Sequence, residues 1–183
     1  TVLQNAFSNT ASSFIQSKIS GNLVFILLPS IPGPAVAAAY IGASFVRSML
    51  AGAGLYILCA LWAAPPVREP WLLILFAFFG CMIMAALGLI TALWAEKYDQ
   101  MGAVMNFVIM PLTFLSGVFY SIESLPPLWQ QASRLNPFFY LVDGFRQGFF
   151  GTGDTNPWAS LSIVGVTAAA VMTLAVLLLS KGW

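Results

Sequence analysis

The sequence predicts an all-α fold, a polytopic bundle of membrane-spanning helices, on three observations. Of its 183 residues 60% are hydrophobic and 7% are charged, where a soluble domain carries about a quarter charged. Four apolar segments reach the ~20 residues that a helix needs to cross a bilayer core, and none alternates with the period of a barrel strand. Five tryptophans, Trp62, Trp71, Trp94, Trp158 and Trp183, stand at or just beyond the ends of those segments, at the depth where indoles settle among headgroups.

In chain order, residues 1–14 read as the inner end of a span, with Asn5, Asn9 and a Ser/Thr cluster among apolar residues. The next segment, 14–30, is too polar and too short in its apolar core to cross. Phe14 and Ile19 alternate with Gln16, Lys18 and Asn22, as in an interfacial or partner-docking helix. Pro29, Pro32 and Pro34 then predict an extended strap. A span over 35–64 carries one charge, Arg47, while spans over 71–95, 101–122 and 157–180 carry none. A charge at a helix centre costs about 2.5–3.5 kcal/mol on insertion scales. Arg47 is therefore expected to face the bundle interior or a wet cavity, or to reach for the interface. Tyr40, Phe45 and Tyr56 share its helix and are candidates to line a path with it.

Small residues recur at four-residue spacing in Ser44, Ser48 and Gly52, in Ala77, Cys81 and Ala85, and in Gly165, Ala169 and Thr173. Such stripes let helix backbones approach closely in lipid.

The 126–150 segment is neither span nor ordinary loop. It holds Arg134, Asp143 and Arg146, yet a surface loop would leave eight apolar side chains between Phe138 and Phe150 in water. Two short helices that dip into the membrane and return on the same side satisfy both facts, provided their polar groups find partners in protein or in a wet cavity. Ser116 and Gly117 would let the 101–122 helix end in close contact, and Glu123 would mark its exit into water. Pro126 and Pro127 turn the chain back, Asn136 and Pro137 break the dip in two, and Asp143 and Arg146 pair at i and i+3.

No catalytic constellation is present in the sequence. There is no histidine, so Ser-His and Cys-His nucleophiles are excluded. The six acids are scattered, and no phosphate-cradling GxxxxGK[ST] loop occurs. The chain is expected to be no enzyme, to hold no metal or cofactor of its own, and, at net charge +1, to bind no nucleic acid.

The stretch PLTFLSGVFYSIESLPPLWQQASRLNPFFYLVDGFRQGFFG, 111–151, resembles the signature region of type-2 ABC transporter permeases. These are membrane subunits of bacterial exporters of polysaccharides, lipo-oligosaccharides and drugs. Residues 4–32 are similar to the same family's segment between its second and third helices, closest to the YadH-like branch. The resemblance implies a single permease domain over 1–183, part of a six-helix permease whose first span is missing from this piece. It implies a multi-pass protein of the bacterial inner membrane in contact with lipid, with re-entrant helices between its last two spans on the outer side. It further implies that 14–30, with Phe14, Gln16, Lys18, Ile19 and Asn22, is the cytoplasmic coupling segment. The partners would be a separate ATP-binding subunit, which carries ATP and Mg, and a second permease copy, identical or related. An ion-coupled carrier or channel without an ATPase is the alternative, though a carrier would ordinarily place several ionisable groups at mid-membrane.

Overall fold

The computed structural model describes residues 2–22, 33–62, 66–117 and 126–180. All regular structure among them is helical: α1 (Val2–Ile19), α2 (Gly33–Trp62), α3 (Pro70–Trp94), α4 (Tyr98–Val104), α5 (Met110–Phe114), α6 (Pro127–Leu135), α7 (Pro137–Phe150) and α8 (Pro157–Ser180). Three of these, α2, α3 and α8, are long and apolar enough to cross a membrane. Glu123, the 23–30 part of the segment after α1 and the 118–122 end of the third apolar span lie outside the described residues.

The central helix is α3. Over its most apolar window 56% of residues are buried, against 11% for α2 and 17% for α8. α1 lies along it in the most extensive helix pair, and α2, α7 and α8 also pack on it. The close fit of α1 to α3 depends on Gly88, where a Cβ would stand 2.5 Å from the Phe7 carbonyl oxygen. Buried Ala77, Cys81 and Ala85 line α3, while Ser44 and Ser48 are buried on α2. Ser44 donates to the Ala6 carbonyl at 2.7 Å, which ties α2 to α1. The stripe on α8 is not packed against another described helix along its length: Ala169 and Thr173 are exposed, and the buried face runs through Ser160, Val164, Ala168 and Ala175 instead. On so uniformly apolar a helix, small size alone does not mark which side meets protein.

Tryptophans and loop contacts define two ends. At one, the rings of Trp71 and Trp158 lie 5.6 Å apart, beside the 151–156 turn. At the other stand the ends of α1 and α3, with Gly33 of α2 packed against Ser180 of α8. Pro34 is the second residue of α2 rather than part of a strap before it, as its missing N–H permits in a first turn.

α4 does not run on as one regular helix. Its last turn widens into a π turn over Met105–Ile109, closed by the Met110 N–H on the Met105 carbonyl, and α5 follows. Pro111 has no N–H and its ring crowds the carbonyl one turn back, so the ladder shifts register there. Helix α5 ends in a turn, with Gly117 at φ 75°.

Candidate functional site

Two places carry polar side chains that the apolar bundle does not need for packing. The first is the end where α1 stops. The helix runs unbroken through Phe14 to Ile19, so 14–19 is its last turn and a half, not a separate interfacial helix. Phe14 is 2% exposed and meets the Tyr40 ring edge-on. It faces the core and offers nothing to a soluble partner, which removes it from the expected coupling surface. Gln16, Ile19 and Asn22 are exposed. The Tyr98 hydroxyl donates to the Gln16 side-chain carbonyl, and the Ser17 and Tyr40 hydroxyls lie 2.9 Å apart.

Lys18 turns inward. Its ammonium donates to the carbonyls of Ala92 (2.7 Å), Leu93 (2.6 Å) and Ala95 (3.2 Å) at the end of α3. These oxygens belong to a last helical turn, which lacks intrahelical donors and bears the negative end of the helix dipole. Burial pushes the Lys18 pKa below its ordinary value, partly offset by the Glu96 charge.

Above this end, Asn9, Ser13, Tyr40, Ser44 and Arg47 line a groove of about 260 Å³ between α1 and α2. Arg47 lies about 21 Å from the start of its helix and about 22 Å from its end, at 1.5 Å per residue. Its side chain is exposed, and among the described residues it forms no ion pair. Of the four expected path residues only Tyr40 and Arg47 come together. Phe45 packs edge-on against Phe78, and Tyr56 stacks on Phe149. Seven residues at about 100° each return Arg47 to the face of Tyr40, whereas sixteen carry Tyr56 to the opposite one.

The second place is the α6–α7 hairpin. Pro126 precedes α6, Pro127 opens it, and Asn136 and Pro137 separate it from α7. The Asn136 side chain accepts from the Phe138 N–H at 3.0 Å, which caps α7. It also donates to the Leu112 carbonyl (2.7 Å) and the Ser116 hydroxyl (3.3 Å). Buried Ser116 thus serves hydrogen bonding as well as close approach. The break in the hairpin faces a cavity of about 430 Å³ between Ile83 and Leu87 of α3 and Thr167 and Val171 of α8.

That placement fixes depth. From Pro70 to Ile83 is about 20 Å along α3, and the fourteen residues of α7 rise about 21 Å. α7 therefore reaches from the Trp71–Trp158 end to the middle of the bundle. It seats through Gly144 and Gly148, where a Cβ would come within 2.5 Å of the Phe76 ring and of Leu73. Phe138, Phe139 and Leu141 are buried.

Midway along α7, Asp143, 1% exposed, gathers the turn that follows the helix. It accepts from the Asp154 N–H (2.8 Å), the Thr155 N–H (3.1 Å) and the Thr155 hydroxyl (2.5 Å). The expected pair with Arg146 is present at 3.1 Å, and Arg146 reaches Asp154 as well at 2.5 Å. The sequence shows the pair but not the role of Thr155 or of the two glycines, although GFRQG spells a small-xxx-small spacing.

The ABC-2 type transporter family matches residues 1–150. The chain is 32% identical over its whole length to the inner membrane transport permease YadH of Escherichia coli K12, 71% of which it covers. It is 28% identical over 152 residues, 75% of this chain and 56% of the relative, to the capsule polysaccharide export inner-membrane protein BexB of Haemophilus influenzae. It is 30% identical over 109 residues, 57% of this chain and 40% of the relative, to nodulation protein J of Rhizobium leguminosarum bv. trifolii. With a buried helical bundle, exposed apolar flanks and this match, the chain belongs to the ABC-2 type transporter permeases, multi-pass proteins of the inner membrane.

Proposed function

We propose that the chain is the membrane-spanning permease of an ATP-driven exporter, whose cargo is a polysaccharide, a lipid-linked glycan, a lipid or a drug-like molecule. Two copies, identical or related, work with two ATP-binding subunits that carry ATP and Mg. The observation that carries this reading is α7, a helix that enters from one end of the bundle, stops at half depth and is held there by Asn136, Gly144, Gly148 and Asp143. A helix so placed is a gate between the aqueous phase at its end and the bundle interior. The opposite end presents the exposed Gln16, Ile19 and Asn22 as the surface for the ATP-binding subunit, which puts that end in the cytoplasm and the hairpin outside. The groove of Tyr40 and Arg47 belongs to the cargo path, and Arg47 acts there through its charge.

An ion-coupled carrier would need titratable groups at mid-depth. Among the described acids, Glu69, Glu96, Asp99 and Asp154 lie at or beyond helix ends, and Asp143, midway along α7, is already held by four donors. The test is affinity purification of the tagged full-length protein from native membranes. A stoichiometric ATP-binding subunit and vanadate-sensitive ATP hydrolysis in the purified fraction are expected. A permease that purifies alone, with export abolished by an ionophore, would make it an ion-coupled carrier.

A further inference from the structure

Lys18 has the chemistry of a surface contact and the geometry of a tether. An ammonium has three donors, and three carbonyls at the end of α3 receive them at 2.6–3.2 Å. It caps, from α1, a helix end whose carbonyls would otherwise need water. Two further bonds hold the same turn, Gln16 to Tyr98 and Ser17 to Tyr40. The turn of α1 that leads to Ile19 and Asn22 is thereby fastened to α2, α3 and α4 together.

α3 continues from this fastening without interruption to Pro70. At its other end the gate helix is joined to it twice over. The N–H groups of Arg68 and Glu69, just before α3, donate to the Gly148 carbonyl at 3.2 and 3.0 Å. Gly144 and Gly148 admit Phe76 and Leu73 of α3 into direct contact with the α7 backbone. One buried helix is thus clamped at one end to the turn that faces the soluble partner and at the other to the hairpin.

We propose that Lys18 is a positioning residue, not an ATPase contact: it is the tether that passes movement of the 16–22 turn into α3 and through α3 to the gate helix α7. This rests on the ATP-driven reading above. Without the tether the ATP-binding subunit still binds, but its movement is not delivered to the hairpin.

The test uses the full-length permease with its co-purified ATP-binding subunit in lipid nanodiscs, with Cys59→Ala and Cys81→Ala. Leu135→Cys reports the gate, since Leu135 lines the cavity at the hairpin break and is labelled only when water reaches that depth. The rate of labelling by a membrane-impermeant maleimide is measured without nucleotide and with ATP trapped by vanadate, for Lys18 and for Lys18→Arg, Lys18→Gln and Lys18→Met. The Lys18 protein should change its labelling rate on trapping, and Lys18→Arg, which keeps several donors, should retain most of that change. Lys18→Met should lose it while the ATP-binding subunit still co-purifies, with Lys18→Gln between. A nucleotide response in Lys18→Met equal to that of Lys18 overturns the tether. Should Lys18→Met fail to insert, the comparison of Arg with Gln decides, and equal responses overturn it. Loss of the ATP-binding subunit from Lys18→Met would instead make Lys18 a partner contact. If no ATP-binding subunit accompanies even the Lys18 protein, the ATP-driven reading fails, and the tether with it.

Discussion

Replacing Asp143 by alanine should be among the most destabilising single changes in the hairpin. The carboxylate is 1% exposed and holds four donors, the Asp154 and Thr155 N–H groups, the Thr155 hydroxyl and Arg146. Hydrogen bonds to a charged group are worth about 1.5–3 kcal/mol each, and they do not add in full. Two of the donors are backbone N–H groups that no other described acceptor serves, and Arg146 keeps Asp154. Removing one partner of a buried charged cluster typically costs about 3–5 kcal/mol, and that is the loss expected for Asp143→Ala. Asp143→Asn keeps one carbonyl acceptor but turns an NH₂ group toward donors, so about half that loss is expected. Asp154 is a control, because its side chain is 31% exposed and meets the same guanidinium. An exposed pair contributes about 0–1 kcal/mol, so Asp154→Ala should be mild. The assay is reversible unfolding in mixed micelles, titrated with SDS and followed by tryptophan fluorescence, with proteolysis of the 151–156 turn as a local readout. An Asp143→Ala protein no less stable than Asp154→Ala would refute the assignment of Asp143 as the centre of that turn.

Three other changes probe separate parts of the structure. Gly144→Val would drive side-chain atoms into the Phe76 ring and should cost about 1–3 kcal/mol as overpacking in the same titration, with faster thiol labelling along α7; an unchanged stability would show that α7 does not seat on α3 through this glycine. Ile19→Asp places a charge on an exposed residue of the turn proposed to face the ATP-binding subunit and should lower recovery of that subunit while insertion stays intact; unchanged recovery would move the docking surface elsewhere. Arg47→Leu removes a mid-helix charge that costs about 2.5–3.5 kcal/mol on insertion scales, so it should insert at least as well yet export less; equal export at equal expression would take Arg47 out of the cargo path.

What could be read in the sequence was whatever is written in side chains close together along the chain. Apolar runs and terminal tryptophans gave α2, α3 and α8, and Asn136-Pro137 gave the break between α6 and α7. Asp143 and Arg146 were legible because three residues on a helix make neighbours. The three bonds of Lys18 are not legible in the sequence because the acceptors are backbone carbonyls 74–77 residues away, and a backbone acceptor leaves no mark there. Phe14 reads as a surface residue because polar neighbours surround it in sequence, while in space it meets Tyr40 and the α3 core. The Gly165-Ala169-Thr173 stripe shows the converse, since small residues also occur on a face that no described helix covers. Phe45 and Tyr56 were grouped with Tyr40 by composition, where angular position on the helix would have separated them.

In the proposed function one end of the bundle faces an ATP-binding subunit and the hairpin faces away from it. A photo-reactive amino acid placed at position 22, and separately at position 153, in the full-length protein in living cells tests both statements at once. Irradiation should join position 22 to an ATP-binding subunit and leave position 153 without that product. A cross-link to the ATP-binding subunit from position 153, or none from position 22 while the subunit still co-purifies, would contradict the orientation and the coupling surface together.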